Sequence, residues 1–149
     1  MKETPETLRL KDQLCFPIYL CAKEITRKYN ELLDGFNLTY TQYIVMMFFW
    51  EKKTSNVKEL GETLMLDPST LTPILKKLEA KGYVRRSRSS ADERNLSITL
   101  TDEGTELEEK LIAVHDKMCC CIGLDGEDGR ELCTLICRVL GNIKTTQEE

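Results

Sequence analysis

The chain has 149 residues, 41% hydrophobic and 31% charged, the make-up of one folded domain with a sizeable core. No apolar run approaches the roughly 18 residues that a membrane span needs, and residues 1–10 hold no apolar leader core. The expectation is a cytoplasmic protein with no membrane partner. The net charge of −4 speaks against nucleic acid only until its distribution is seen.

Leu14, Ile18, Cys21, Ala22, Ile25, Tyr29, Leu32 and Leu33 recur at helical spacing and predict a long first helix over 12–36, with Asp12 as its cap. Pro17 sits early enough that a late start or a kink is expected instead of a break. Thr41 is read as the cap of a second helix, 42–52. Its stretch Ile44-Val-Met-Met-Phe-Phe-Trp50 is apolar nearly all round and belongs in a core. After a polar loop, residues 57–65 form a short third helix with Leu60 and Leu64 inward. Asp67 followed by Pro68 is a strong helix start. The fourth helix runs 68–81 on a stripe of Leu71, Ile74, Leu75 and Leu78, and Gly82 ends it.

Residues 83–88 and 96–100 read as two strands joined by a charged tip, 89–95. A fifth helix opens at Thr101 and runs to about 122 on Leu107, Leu111, Val114 and Met118. Residues 123–129 read as a turn, and 130–144 as a sixth helix. The acids of that turn lack the spacing of a calcium loop. The seven cysteines include no C-x-x-C pair, and His115 is the single histidine. No metal or cofactor is expected.

Two short helices followed by a hairpin with a basic tip make a winged helix-turn-helix, a mainly α fold with a small sheet. The window 76–94 carries Lys76, Lys77, Lys81, Arg85, Arg86, Arg88 and Arg94 against Glu79, Asp92 and Glu93, a local +4 on a body of −8. That is the footprint of a surface that docks a polyanion, or of a solvated hairpin. The fourth helix offers Ser69, Thr70 and Thr72 to base edges or phosphates, and Lys76 and Lys77 to phosphates. Arg86 and Arg88 extend the basic surface along the first strand. Arg94 at the tip suits a narrow minor groove, oriented by Asp92.

Asp92-Glu-Arg94-Asn-Leu-Ser-Ile-Thr-Leu100-Thr101 resembles the wing of the MarR family of regulators, as does Asp67-Pro-Ser-Thr-Leu-Thr-Pro-Ile-Leu-Lys-Lys-Leu78 its reading helix. The resemblance covers nearly the whole chain. It implies a single domain over 1–149, with dimerisation helices at 12–36 and 102–144 around a winged-helix region at 41–100. It also implies a homodimer on a pseudo-palindromic operator in double-stranded DNA, usually as a repressor.

Cys15 falls in the first turn of the first helix, where free backbone donors and the helix dipole favour a thiolate. A cysteine on an apolar helical face is by itself more often core. Leu14-Cys15-Phe16-Pro17-Ile-Tyr19, with Tyr29 and Leu38-Thr39-Tyr40-Thr41-Gln42-Tyr43, resembles the organic-hydroperoxide-resistance regulators within that family. The resemblance implies that Cys15 reacts with organic hydroperoxide and that Tyr29 and Tyr40 of the other subunit hydrogen-bond its thiolate. Tyr19 helps to line the pocket. It also implies, for some members, a disulfide to a cysteine late in the fifth helix of the partner. Cys120 matches that position best, with Cys119 and Cys121 beside it; other members use a small free thiol. Three other readings stand beside this one: a MarR-type regulator of a phenolic ligand with Cys15 a bystander, a thiol peroxidase, and a helical adaptor that uses the wing for protein contact instead of DNA. The chain is expected not to be an enzyme, since nothing beyond the one thiol resembles a peroxidase site.

Overall fold

The apolar positions of the first helix do not all find cover, and this shapes the fold. The computed structural model describes residues 8–88 and 96–145. Among the described residues six α-helices and three short strands follow one another as α1 (Cys15–Leu33), α2 (Tyr40–Lys52), β1 (Thr54–Asn56), α3 (Val57–Leu64), α4 (Pro68–Ala80), β2 (Val84–Arg88), β3 (Leu96–Leu100), α5 (Asp102–Ile122) and α6 (Gly126–Thr145). The chain divides into two compact units, residues 1–114 and 115–149.

The core of the first unit is built on α2, whose Val45, Met46, Phe48 and Phe49 are buried, as its all-round apolar sequence requires. Leu33 and Leu38, Leu60, the α4 stripe Leu71, Leu75 and Leu78, the strand residues Val84 and Ile98, and Leu107, Leu111 and Val114 complete the cluster. The sheet is antiparallel in the order β1-β3-β2. Val84 stands opposite Leu100 and Arg88 opposite Leu96. β1 joins the far edge, with Thr54 opposite Thr99.

Several helix ends differ from the sequence reading, each for a local reason. α1 begins at Cys15, and Asp12 belongs to a separate 3-10 turn, Leu10–Asp12, so it does not cap α1. Pro17 is then the third helical residue, where no intrahelical bond is lost. α1 stops at Leu33 and a 3-10 turn, Asp34–Phe36, leads to Asn37 in the left-handed region at φ 54°. Thr39, not Thr41, caps α2: its hydroxyl accepts from the Gln42 N–H and the Gln42 side chain accepts from the Thr39 N–H, a capping box. Tyr83 precedes β2 instead of starting it. Asp125 accepts from the Glu127 and Asp128 N–H groups, so α6 starts at Gly126 rather than at 130.

At the start of α5, Thr101 accepts from the Gly104 N–H at 3.0 Å and donates to the Gly82 carbonyl at 2.6 Å. A Cβ at Gly104 would run into the Tyr83 carbonyl, so only glycine fits there. Its own carbonyl accepts from the Trp50 indole at 2.8 Å. This junction fixes the wing strands against α2. α6, by contrast, has no buried residue: Leu132, Leu135, Ile136, Leu140 and Ile143 are all exposed.

Candidate nucleic-acid interface and reactive cysteine

Asp67 holds the start of α4. Its carboxylate accepts from the Ser69 and Thr70 backbone N–H groups at 2.9 and 3.0 Å, from the Thr70 hydroxyl at 2.8 Å, and from the Ser69 hydroxyl. The hydroxyl bonds from Ser69 and then Thr70 hold its carboxyl at about 2, below the usual 3.8. Thr72 donates to the Pro68 carbonyl at 2.7 Å. The three hydroxyls on the outer face of α4 therefore spend their protons within the helix. What they offer outward is lone pairs, which suit the amino groups of cytosine or adenine in a major groove rather than phosphate oxygens. Lys76 and Lys77 follow on the same helix and are exposed.

Arg86 does not belong to that outward set. Its guanidinium grips Glu79 of α4, Nε to Oε2 at 2.7 Å, and its backbone N–H donates to Oε1 at 3.1 Å. The pair is half-buried, and the hydrogen bond from Arg86 lowers the Glu79 carboxyl from its usual range. Arg86 thus ties the wing to the reading helix, while its neighbour Arg85 is exposed. Sequence reasoning missed Glu79, although its place seven residues before an arginine in the next strand was visible. Arg88 closes β2 opposite Leu96. Asp92 and Arg94, expected at the wing tip, lie outside the described residues.

Cys15 is the first residue of α1 and is exposed. Leu14 and Tyr19 beside it are 67% and 60% exposed. Tyr19 lies one turn along the same helix face, so it stands next to the thiol within the same chain. Tyr29 and Tyr40 stack on each other, ring centroids 4.4 Å apart at 14°, with Tyr43 5.5 Å from Tyr29 and Trp50 5.9 Å from Tyr43. Burial raises the Tyr40 phenol above its ordinary 10. Tyr29 follows Cys15 by fourteen residues on one continuous helix, about 21 Å of rise. The structure therefore brings Tyr29 and Tyr40 together but keeps them from the Cys15 of their own chain.

Cys119, Cys120 and Cys121 are exposed at the end of α5. They differ in surroundings: the Cys119 sulfur lies 3.4 Å from Nε2 of His115, and Cys120, two residues from buried Met118, points away from the buried stripe. Among the described residues no group of three or more potential ligands could hold a metal ion.

Residues 27–111 match the family model described as transcriptional regulator SarA/Rot. The organic hydroperoxide resistance transcriptional regulator of Bacillus subtilis (strain 168) is 40% identical over 132 residues, 89% of this chain and 88% of that one. Reduced AbfR bound to DNA, from a protein of Staphylococcus epidermidis, is 34% identical, covers 97% of this chain and 100% of that one, and superposes with a TM-score of 0.80. Disulfide-formed AbfR is 35% identical over 97% of this chain and 96% of that one, with a TM-score of 0.65.

Proposed function

The chain belongs to the MarR family of transcriptional regulators, and from that premise we propose that it is a peroxide-sensing repressor, a homodimer that holds a pseudo-palindromic DNA operator until organic hydroperoxide oxidises Cys15. The observation that carries this reading is the exposed thiol at the first residue of α1, on a helix whose apolar N-terminal half is uncovered. The thiolate is the form of a cysteine that attacks a peroxide. The uncovered apolar stripe of α6 supports the dimer, since a stripe of that length needs a partner. In this reading Tyr29 and Tyr40 of one subunit hydrogen-bond the Cys15 thiolate of the other. The whole chain then acts as one regulatory domain, in the cytoplasm where the DNA is.

The thiolate attacks the peroxide oxygen remote from the alkyl group. The S–O bond forms, the O–O bond breaks, and the alkoxide leaves as an alcohol after taking a proton, giving a sulfenic acid. A second thiol then condenses with it: an S–S bond forms, the S–O bond breaks, and the hydroxide leaves as water with the thiol proton. Cys120 of the partner subunit is our choice for that thiol, with Cys119 and Cys121 beside it. The reaction is a signal, not turnover, and the chain is read as a regulator instead of a peroxidase. Oxidation shifts α1 and with it the spacing of the two α4 helices, so the operator no longer fits.

The test uses a duplex selected by the reduced protein from a random pool. Wild type should bind it and be released by cumene hydroperoxide, and Cys15→Ser should stay bound. Equal release of both proteins removes Cys15 from the sensing step. Failure of the reduced protein to select any duplex removes the operator reading.

A further inference from the structure

We propose that Lys81 is the strut through which α1 moves the reading helix, a positioning residue for redox-controlled release of DNA. The proposal rests on the function read above and extends it to a residue that does not touch DNA or peroxide. Lys81 follows α4 directly, and its backbone N–H still bonds the Lys77 carbonyl at 3.1 Å. Its side chain does not run outward as those of Lys76 and Lys77 do. It turns back to the corner between α1 and α2, where the ammonium donates to the Asn37 carbonyl and to Oε1 of Gln42 at 3.4 Å. Burial, and then the neighbouring Lys77, lowers its pKa from the usual 10.5. The half-buried ammonium rests on two neutral acceptors, and its charge strengthens both bonds.

One acceptor, Asn37, closes the 3-10 turn that follows α1, and the other, Gln42, lies in the first turn of α2. Asn37 sits in the left-handed region at φ 54°, held by its N–H on the Asp34 carbonyl at 2.8 Å, and the Leu38 N–H bonds the Leu33 carbonyl at 3.3 Å. Asn30 of α1 accepts from the first N–H of α2, on Tyr40, at 2.8 Å. Gln42 is 4% exposed and shares Oε1 between Lys81 and the Thr39 N–H of the capping box. The corner is thus a rigid end to a helix of 19 residues that begins at Cys15. On the other side, Lys81 is fixed to α4 by the Gly82 turn, φ 79°, whose N–H bonds the Glu79 carbonyl at 2.9 Å. A displacement of α1 therefore pulls on the C-terminal end of α4 through the lysine.

The coupling between oxidation and DNA affinity is a ratio, and only a coupling residue changes it. The experiment measures affinity for the selected duplex, reduced and after cumene hydroperoxide, for wild type, Lys81→Met and Lys81→Arg. Oxidation of Cys15 is followed in each by intact mass. In Lys81→Met the oxidant-induced loss of affinity should shrink about fivefold or more, with Cys15 oxidised to the wild-type extent, and Lys81→Arg should restore part of it. A ratio in Lys81→Met equal to that of wild type overturns the proposal, whatever its absolute affinity or melting temperature. If Lys81→Met does not fold, Lys81→Gln is held to the same ratio. Wild type that binds but is not released by peroxide overturns the function reading itself, and the proposal with it.

Discussion

The body formed by α2, α3, α4 and the sheet closes on itself, while α6 and the N-terminal half of α1 do not. In the body formed by α2, α3, α4 and the sheet, large side chains such as Phe49, Leu60 and Leu71 are fully buried. Its helix starts are capped by Thr39, Asn56 and Asp67. Along α6 the leucines and isoleucines are at least 39% exposed, and Leu14 before α1 and Ile18 and Leu20 within it are at least 40% exposed. The same apolar chemistry is satisfied within the chain in one region and left for another molecule in the other. The DNA-reading body is thus a complete fold, and the terminal helices are completed by assembly, which makes stability depend on protein concentration.

Phe49→Ala tests the closed region with the largest expected effect. Phe49 is fully buried and meets Phe48 edge-on at 5.3 Å. Its truncation should destabilise the protein by about 3–5 kcal/mol in urea unfolding, and a loss near zero would mean that the body is not the core described. Ile136→Glu combined with Leu140→Glu tests the open region. Both residues are already exposed, so the chain should fold, yet sedimentation should show monomer and operator affinity should fall about a hundredfold as bivalent binding is lost. An unchanged dimer would show that another surface assembles it.

Smaller effects separate contact from capping within α4. Lys76→Ala and Lys77→Ala should each lower the slope of log affinity against log salt by about 0.9 if each meets one phosphate. An unchanged slope places that lysine off the DNA. Asp67→Asn has the smallest effect and a defined pH dependence. The folded carboxyl of Asp67 lies at about 2 against an ordinary 3.8, so its charge stabilises the fold above about pH 3.8 and that advantage is lost as pH falls towards 2. Wild type should therefore melt higher than Asp67→Asn at neutral pH and converge with it near pH 2. A constant gap would show that the cap acts through shape alone.

The body was the legible part of the chain. Asp67 before Pro68 announced α4, and the apolar run from Ile44 to Trp50 announced the buried α2, because a cap and a burial pattern are local chemistry. β1 was not legible: Thr54, Ser55 and Asn56 are polar and too few to show a period, and they become a strand only because β3 supplies partners, with Thr54 bonding the Ile98 carbonyl. The start of α6 was hidden by Gly126 and Gly129, which read as a turn until Asp125 is seen capping it. Arg86 looked like a DNA contact because charge in a sequence does not say which carboxylate it meets. Ser69, Thr70 and Thr72 were placed correctly on the outer face, but the direction of their protons depends on Asp67 and the Pro68 carbonyl.

The central claim is that Cys15, among seven cysteines, takes the oxygen from the peroxide. Reduced protein on its operator duplex would be treated with substoichiometric cumene hydroperoxide in the presence of dimedone, which traps sulfenic acid. Digestion and mass spectrometry then locate the adduct while anisotropy follows the DNA. The account predicts that dimedone accumulates on the Cys15 peptide in step with release of the duplex. Release with the adduct on another cysteine, or with Cys15 unmodified, would contradict it.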